Sequence, residues 1–207
     1  MINIAFTYIK SLKGTLWCLV FFAMSIFTQC EVEDPVKEDT PELITRAALT
    51  FTPETGDPIM VTATDPDGEG VKDISTDQPI ELDAGVRYFL DVKLVNELVD
   101  PTSPDYDIGA EVEEQGSEHL FFFGWTGNVF DDPDGDGNID NRDDPVNYED
   151  HDVNALPVGI HTTWTAGAPS SGTFRLLLKH QPGLKSASSK STEGETDLDV
   201  VFDIIVR

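Results

Sequence analysis

Residues 197–206 read DLDVVFDIIV, and the period of that run decides the fold. Leu198, Val200, Phe202, Ile204 and Val206 alternate with Asp197, Asp199, Val201, Asp203 and Ile205. A period of two is the geometry of a strand with one buried face. The same period recurs upstream. Leu43, Thr45, Ala47, Leu49 and Phe51 alternate with Ile44, Arg46, Ala48 and Thr50. Tyr88, Leu90, Val92 and Leu94 alternate with Phe89, Asp91, Lys93 and Val95. Phe174, Leu176, Leu178 and His180 alternate with Arg175, Leu177 and Lys179. Further strand candidates are Ile59–Thr64, 118–125 and 159–166, separated by Gly, Pro, Asp and Ser clusters that break the chain. No amphipathic helical stretch of useful length is present. The pattern predicts an all-β fold: a single antiparallel, Ig-like β-sandwich of six to eight strands over residues 43–207. The Ser/Lys run 185–192 (KSASSKST) reads as a mobile loop before the last strand.

Charge narrows the function. The 207 residues carry 13 Lys+Arg against 39 Asp+Glu, a net charge of -26. Lys10 and Lys13 are the only charged residues before Cys30. Nucleic-acid backbones and anionic membrane surfaces both require basic clusters, and the chain has none. Its field favours cations, basic partners and solubility.

The N-terminus reads as an address. Lys10 and Lys13 precede fourteen largely apolar residues, 15–28 (TLWCLVFFAMSIFT). That is short for a membrane-spanning helix, which takes about 20, and it fits the core of a secretory signal. The alternative is a short anchor helix. Cys18 would leave with the signal, so the mature chain keeps Cys30 alone and forms no internal disulfide. Phe27-Thr28-Gln29-Cys30 resembles a bacterial lipoprotein processing site, with Gln29 where a small residue is usual. Residues 1–29 are therefore expected to be a lipoprotein signal peptide, with lipidation at Cys30. Residues 30–42 form an acidic tether containing Pro35 and Pro41. An acidic run after the lipidated Cys resembles the surface-export signal of Bacteroidota lipoproteins. A plain periplasmic linker is the other reading.

Residues 132–143 read DPDGDGNIDNRD. Counted from Asp132, acids fall at positions 1, 3, 5, 9 and 12, with Gly137 at the sixth. This is the oxygen-ligand spacing of an EF-hand-type calcium loop. Calcium takes six to eight hard oxygens, and alternate carboxylates converge only where the chain turns sharply. The candidate ligands are Asp132, Asp134, Asp136, Asn138 through its carbonyl, Asp140 and Asp143. The flanks are not helical, so the loop would be grafted between strands. Ten acids and one base, Arg142, lie between Asp131 and Asp152, and without a cation they repel one another. A solvated acidic loop with no defined site is the bland alternative. Asp65, Asp67 and Glu69 form a weaker echo that turn chemistry also explains.

His119, His151, His161 and His180 show no zinc-ligand spacing. Glu118-His119 and His180 lie on separate strands and could converge across a sheet, which would suit metal capture. His151 lies among Glu149, Asp150 and Asp152 as an extra ligand or a solvated side chain. Phe121, Phe122, Phe123, Trp125 and Trp164 read as core, with Trp125 or Trp164 the alternative sugar- or partner-stacking residue. No nucleophile beside a base, no GxSxG elbow and no phosphate loop is found, so no enzymatic activity is expected.

Six segments taken in order carry a resemblance: LTFTP (49–53), TDPDGEG (64–70), VNE (95–97), EHLFFF (118–123), SSGTFRLLLKHQP (170–182) and GETDLDVVFDI (194–204). Together they resemble a family of Bacteroidota lipoproteins labelled "type 1 periplasmic binding fold superfamily protein". The resemblance implies a gene beside a TonB-dependent outer-membrane receptor and an accessory role in capture or uptake. It implies no catalytic or ligand-binding residues. The label implies an α/β fold, whereas the alternation predicts β-structure throughout. The expected protein is a cell-envelope lipoprotein that binds a ligand or a partner beside the receptor, with calcium holding its acidic loop. An adhesive or glycan-binding surface module and a histidine-based metal-capture lipoprotein are the alternatives.

Overall fold

A computed structural model describes residues 42–68, 74–141 and 145–207. Among these residues it has two β-sheets and one short helix. The larger sheet has the order β3-β2-β1-β5-β9-β7, and the smaller one the order β4-β11-β10-β6. In the larger sheet, β1 (Arg46–Pro53) lies between β2 (Ile59–Thr64) and β5 (Arg87–Val95). β5 pairs on its other side with β9 (His161–Ala166). β3 (Ser75–Thr76) adds to β2, while β7 (Phe130–Asp132) and β8 (Asn147–Tyr148) each pair with β9. In the smaller sheet, β10 (Ser170–His180) lies between β6 (His119–Trp125) and β11 (Glu195–Val206).

Every strand read from alternation is present. Four short strands and one pairing are not what the pattern foretold. β4 (Ile80–Leu82) runs parallel to the end of β11, so the sheets are not antiparallel throughout. The chain crosses from the larger sheet at β3 to the smaller at β4 and returns at β5. That short crossing leaves β4 no hairpin partner. α1 (Ile108–Glu114) has only two turns. Asp107 caps it by accepting the Ala110 N–H, and Ile108 and Val112 at i and i+4 are buried. Among the described residues no helix is long and apolar enough to cross a membrane.

The inner residues of both sheets form one core. Its centre is Trp164 on β9, fully buried. Its ring centroid lies 4.7 Å from Phe130, 5.1 Å from Phe174, 5.4 Å from Phe123 and 5.5 Å from Trp125. Phe123, Trp125 and Phe174 belong to the opposite sheet, so this one indole locks the two sheets together. Three of its contacts, those to Phe123, Trp125 and Phe174, are edge-to-face, the arrangement aromatic quadrupoles favour. The indole N–H is satisfied locally by the Thr162 hydroxyl at 2.7 Å. Trp125 is buried as well, which removes both tryptophans as sugar-stacking surfaces.

β6 breaks the alternation rule. All seven of its residues are buried. Phe121, Phe123 and Trp125 enter the main core, while Leu120 and Phe122 join Leu177 in a second cluster on the outer face. Ile139 and Tyr148, from the acidic segment, cover that cluster.

Replacing Trp164 with Ala empties the centre of the inter-sheet core and is expected to destabilise the domain by about 3–5 kcal/mol. Urea unfolding measures it; a loss below about 1 kcal/mol would mean that the sheets are held elsewhere.

Candidate calcium loop and the buried histidine cluster

The acidic segment between β7 and β9 folds back onto the edge of β6. The Trp125 N–H donates to the Gly137 carbonyl at 3.0 Å, and the Phe121 N–H to the Val158 carbonyl at 2.7 Å. The Tyr148 hydroxyl donates to the Phe121 carbonyl at 2.8 Å. Gly137 is required here: its φ is +69°, and a Cβ would lie 2.0 Å from the Trp125 carbonyl oxygen.

Within the loop the predicted ligands have separate partners. Asp132 accepts from the Asn147 amide at 3.0 Å. Asp134 is exposed. Asp136 accepts from the Asn138 N–H at 2.9 Å and from the Asn141 amide at 3.3 Å. The Asn138 carbonyl accepts the Asn141 N–H at 2.8 Å, and its side-chain oxygen the Asp140 N–H at 3.1 Å. Asp140 is turned toward the Ser/Lys run, where Ser191 donates through its N–H at 2.7 Å and its hydroxyl at 3.0 Å. Asp143 lies outside the described residues. Among those described, no three His, Cys, Asp or Glu side chains form a metal-binding group. A cation centred in the loop would draw Asp140 away from Ser191. In the weaker echo, Asp65 closes a turn by accepting the Gly68 N–H at 3.2 Å. Glu69 lies outside the described residues.

The acids that follow serve the backbone. Asp150 accepts the Gly159 and Ile160 N–H groups at 2.9 and 2.8 Å. Asp152 accepts those of Asn154 and Leu156 at 2.8 and 3.0 Å. His151 is exposed. The Asp152 carboxylate also meets the Lys185 ammonium at 3.0 Å, with both side chains 1% exposed. Lys185 in turn donates to the Gly116 carbonyl. The run 185–192, read from sequence as mobile, is therefore tied down by Lys185, by the buried Ser189 and by Ser191. Its composition resembles a loop, and nothing local marks Lys185 as the partner of an acid 33 positions earlier.

The two histidines expected on separate strands do come together across the sheet. His119 and His180 are direct register partners on β6 and β10. Their rings stack at 4.6 Å and 12°, and His180 Nε2 lies 3.5 Å from Glu118. A shared ion needs in-plane lone pairs that converge. Near-parallel rings direct theirs into separate planes.

Sequence reading missed the third member of the cluster, Asp197. Pairing of β10 with β11 slips between Leu178 and Lys179, and Asp197 is the extra residue on β11. Its side chain is fully buried, and Oδ2 lies 3.9 Å from His119 Nε2. Burial pushes its carboxyl up to about 7, against the opposing pull of His180. Oδ1 accepts the Glu42 N–H at 3.4 Å. A separate surface cluster places His161 between Asp91 at 3.2 Å and Glu113 at 3.7 Å. An open concavity of about 600 Å³ runs along α1 and is lined by Asp105, Asp107, Glu111, Glu114 and Glu118.

The Asp152–Lys185 pair yields a test. Burial raises the Asp152 carboxyl, but the Leu156 N–H, Lys185 and the Asn154 N–H outweigh it and hold it below the usual carboxylate range. Its stabilisation is thus present at neutral pH and is lost as pH falls through that lowered value. Lys185→Met leaves the carboxylate buried without its cation and is expected to cost about 3 kcal/mol at pH 7. Lys185→Met with Asp152→Asn should recover part of the loss. Equal stability of Lys185→Met and wild type in urea would contradict the pair. Comparison with protein families, with curated proteins and with solved structures finds no match to this chain.

Proposed function

We propose that the chain is a non-catalytic cell-envelope lipoprotein. A single Ig-like β-sandwich serves as an accessory ligand- or partner-binding module beside a TonB-dependent outer-membrane receptor. The observation that carries the reading is the placement of Cys30. It lies two positions after the end of the apolar run 15–28, directly before an acidic run with two prolines, and 16 positions before β1. Thirteen extended residues reach roughly 40 Å, enough to hold a domain clear of a bilayer. The large negative charge keeps the domain off anionic lipid and draws basic groups or cations toward it. Cover on two edges, those of β6 and β2, agrees with recognition by faces or loops rather than by strand addition there. β6 is covered by the acidic segment. On β2, Asp77 binds the Thr62 N–H and hydroxyl, and Gln78 donates to the Met60 carbonyl.

In this reading calcium occupies the 132–143 loop through Asp132, Asp134, Asp136, the Asn138 carbonyl, Asp140 and Asp143. The support is the oxygen spacing and the density of acids there. One observation favours the glycan-binding alternative: Phe89 is exposed on the outer face of the larger sheet, opposite Thr52 and Thr163. A neighbouring receptor gene supports the first reading, a neighbouring polysaccharide-degradation cluster the second.

Two measurements test the proposal. Cys30→Ser should move the protein from the membrane to the soluble fraction; unchanged fractionation contradicts the anchor. Saturating Ca²⁺ at about 100 Kd adds about 2.7 kcal/mol, which raises Tm by roughly 5–11 °C for this size. That rise should vanish in Asp134→Asn/Asp136→Asn. The absence of any shift with Ca²⁺ removes calcium from the account.

A further inference from the structure

We infer that Lys185 and Asp152 condense to an intramolecular amide, which staples the acidic segment to the loop before β11. The two groups meet directly. Lys185 Nζ lies 3.0 Å from Asp152 Oδ2, and both side chains are 1% exposed. The two oxygens of the carboxyl are placed differently. Oδ1 accepts the Asn154 and Leu156 N–H groups, at 2.8 and 3.0 Å. Two backbone donors on one oxygen polarise a carbonyl and hold the charge that forms there when a nucleophile adds to the carbon. Oδ2 faces the amine and is the oxygen that leaves. Nζ also donates to the Gly116 carbonyl, which fixes the amine beside the carboxyl.

The step balances within the pair. An ammonium carries three hydrogens and a carboxylate none. One proton passes from Nζ to Oδ2, which leaves a neutral amine and a neutral acid. The Nζ lone pair then adds to Cγ. A second proton passes from Nζ to Oδ2, the Cγ–Oδ2 bond breaks, and Oδ2 departs as water. Burial disfavours two charges more than two neutral groups, and it pulls the Lys185 ammonium below the usual range. Burial also raises Asp152, but its hydrogen bonds and Lys185 prevail. Asp152 therefore starts as the carboxylate and takes its proton from Lys185. Asp150, also near Lys185, is engaged by the Gly159 and Ile160 N–H groups and takes no part. Placement supplies the drive: effective molarities of well-oriented intramolecular partners reach about 10⁵–10⁸ M. The product fits the site as it stands. The last hydrogen on Nζ becomes the amide N–H, with the Gly116 carbonyl to accept it. Oδ1 becomes the amide oxygen, with two N–H donors already on it. Both polar ends of the buried amide are thus paired. Such a link constrains the unfolded chain as a disulfide would, and both cysteines, Cys18 and Cys30, lie before the domain.

Peptide mass spectrometry tests this. The folded full chain is incubated at neutral pH, then denatured and digested with trypsin, which cuts after Arg142, Arg175, Lys179 and Lys190. Most chains should yield a branched peptide that joins residues 143–175 to 180–190 and is one water lighter than the two together. Fragmentation should place the link between Asp152 and Lys185. Lys185→Met removes the amine and should give no branched peptide. Separate peptides 143–175 and 180–185 from the folded wild type overturn the inference, and so does a link through Lys179 or Lys190. The wild-type digest decides the matter even if the variant does not fold. The stability of Lys185→Met in urea still reports on the ion pair, so failure of the amide is distinct from failure of the pair.

Discussion

The structure depends on covering β6. This strand is the edge of the smaller sheet, and its sequence HLFFFGW has apolar residues pointing both ways. One face belongs to the inter-sheet core. The other carries Leu120 and Phe122, and the free edge presents the N–H groups of Phe121 and Trp125. Left bare, such a strand would be an open template for pairing and an apolar surface in water. The acidic segment solves both problems at once. Ile139 and Tyr148 cover the apolar face, and the Gly137 and Val158 carbonyls take the edge N–H groups. Because β7 and β8 belong to β9 of the larger sheet, the same segment also joins the two sheets along one side.

That role explains how so acidic a stretch packs against a protein. Its carboxylates are the natural acceptors for backbone N–H groups in a chain that forms little regular structure there. Asp150 and Asp152 shape the return to β9, and Asp140 holds Ser191. Lys185 neutralises Asp152 where both are shielded from water. Asp134 and Asp136 remain on the outside, where a cation would relieve the repulsion between them. A calcium ion bound as proposed would compete with the backbone for the same oxygens, and its binding would then be linked to the seating of the segment on β6.

The long strands were legible because each has one wet face, which writes a period of two into the sequence. The β6 run was legible as core but not as a strand covered on both sides, since its second cover comes from residues 15 to 30 positions away. α1 shows only one pair, Ile108 and Val112, too little for a periodic signal. β4 is three residues long, and its parallel partner lies more than 120 positions on. In the acidic loop, spacing conveyed the oxygens but not their partners: the same alternation that suits an ion also suits turns that bind their own backbone. His119 and His180 could be matched by strand parity. Asp197 could not, because a bulge moved it out of phase.

The covering of β6 is tested most directly by the exchange of two amide hydrogens, those of Phe121 and Trp125, at neutral pH. Both lie on the outer edge of a sheet and would exchange readily if the acidic segment were a solvated flap. Seated as described, they should exchange as slowly as the central amides of β10, through opening of the whole domain. Rates typical of an exposed edge strand would contradict the account, and the sandwich would then be closed without its acidic segment.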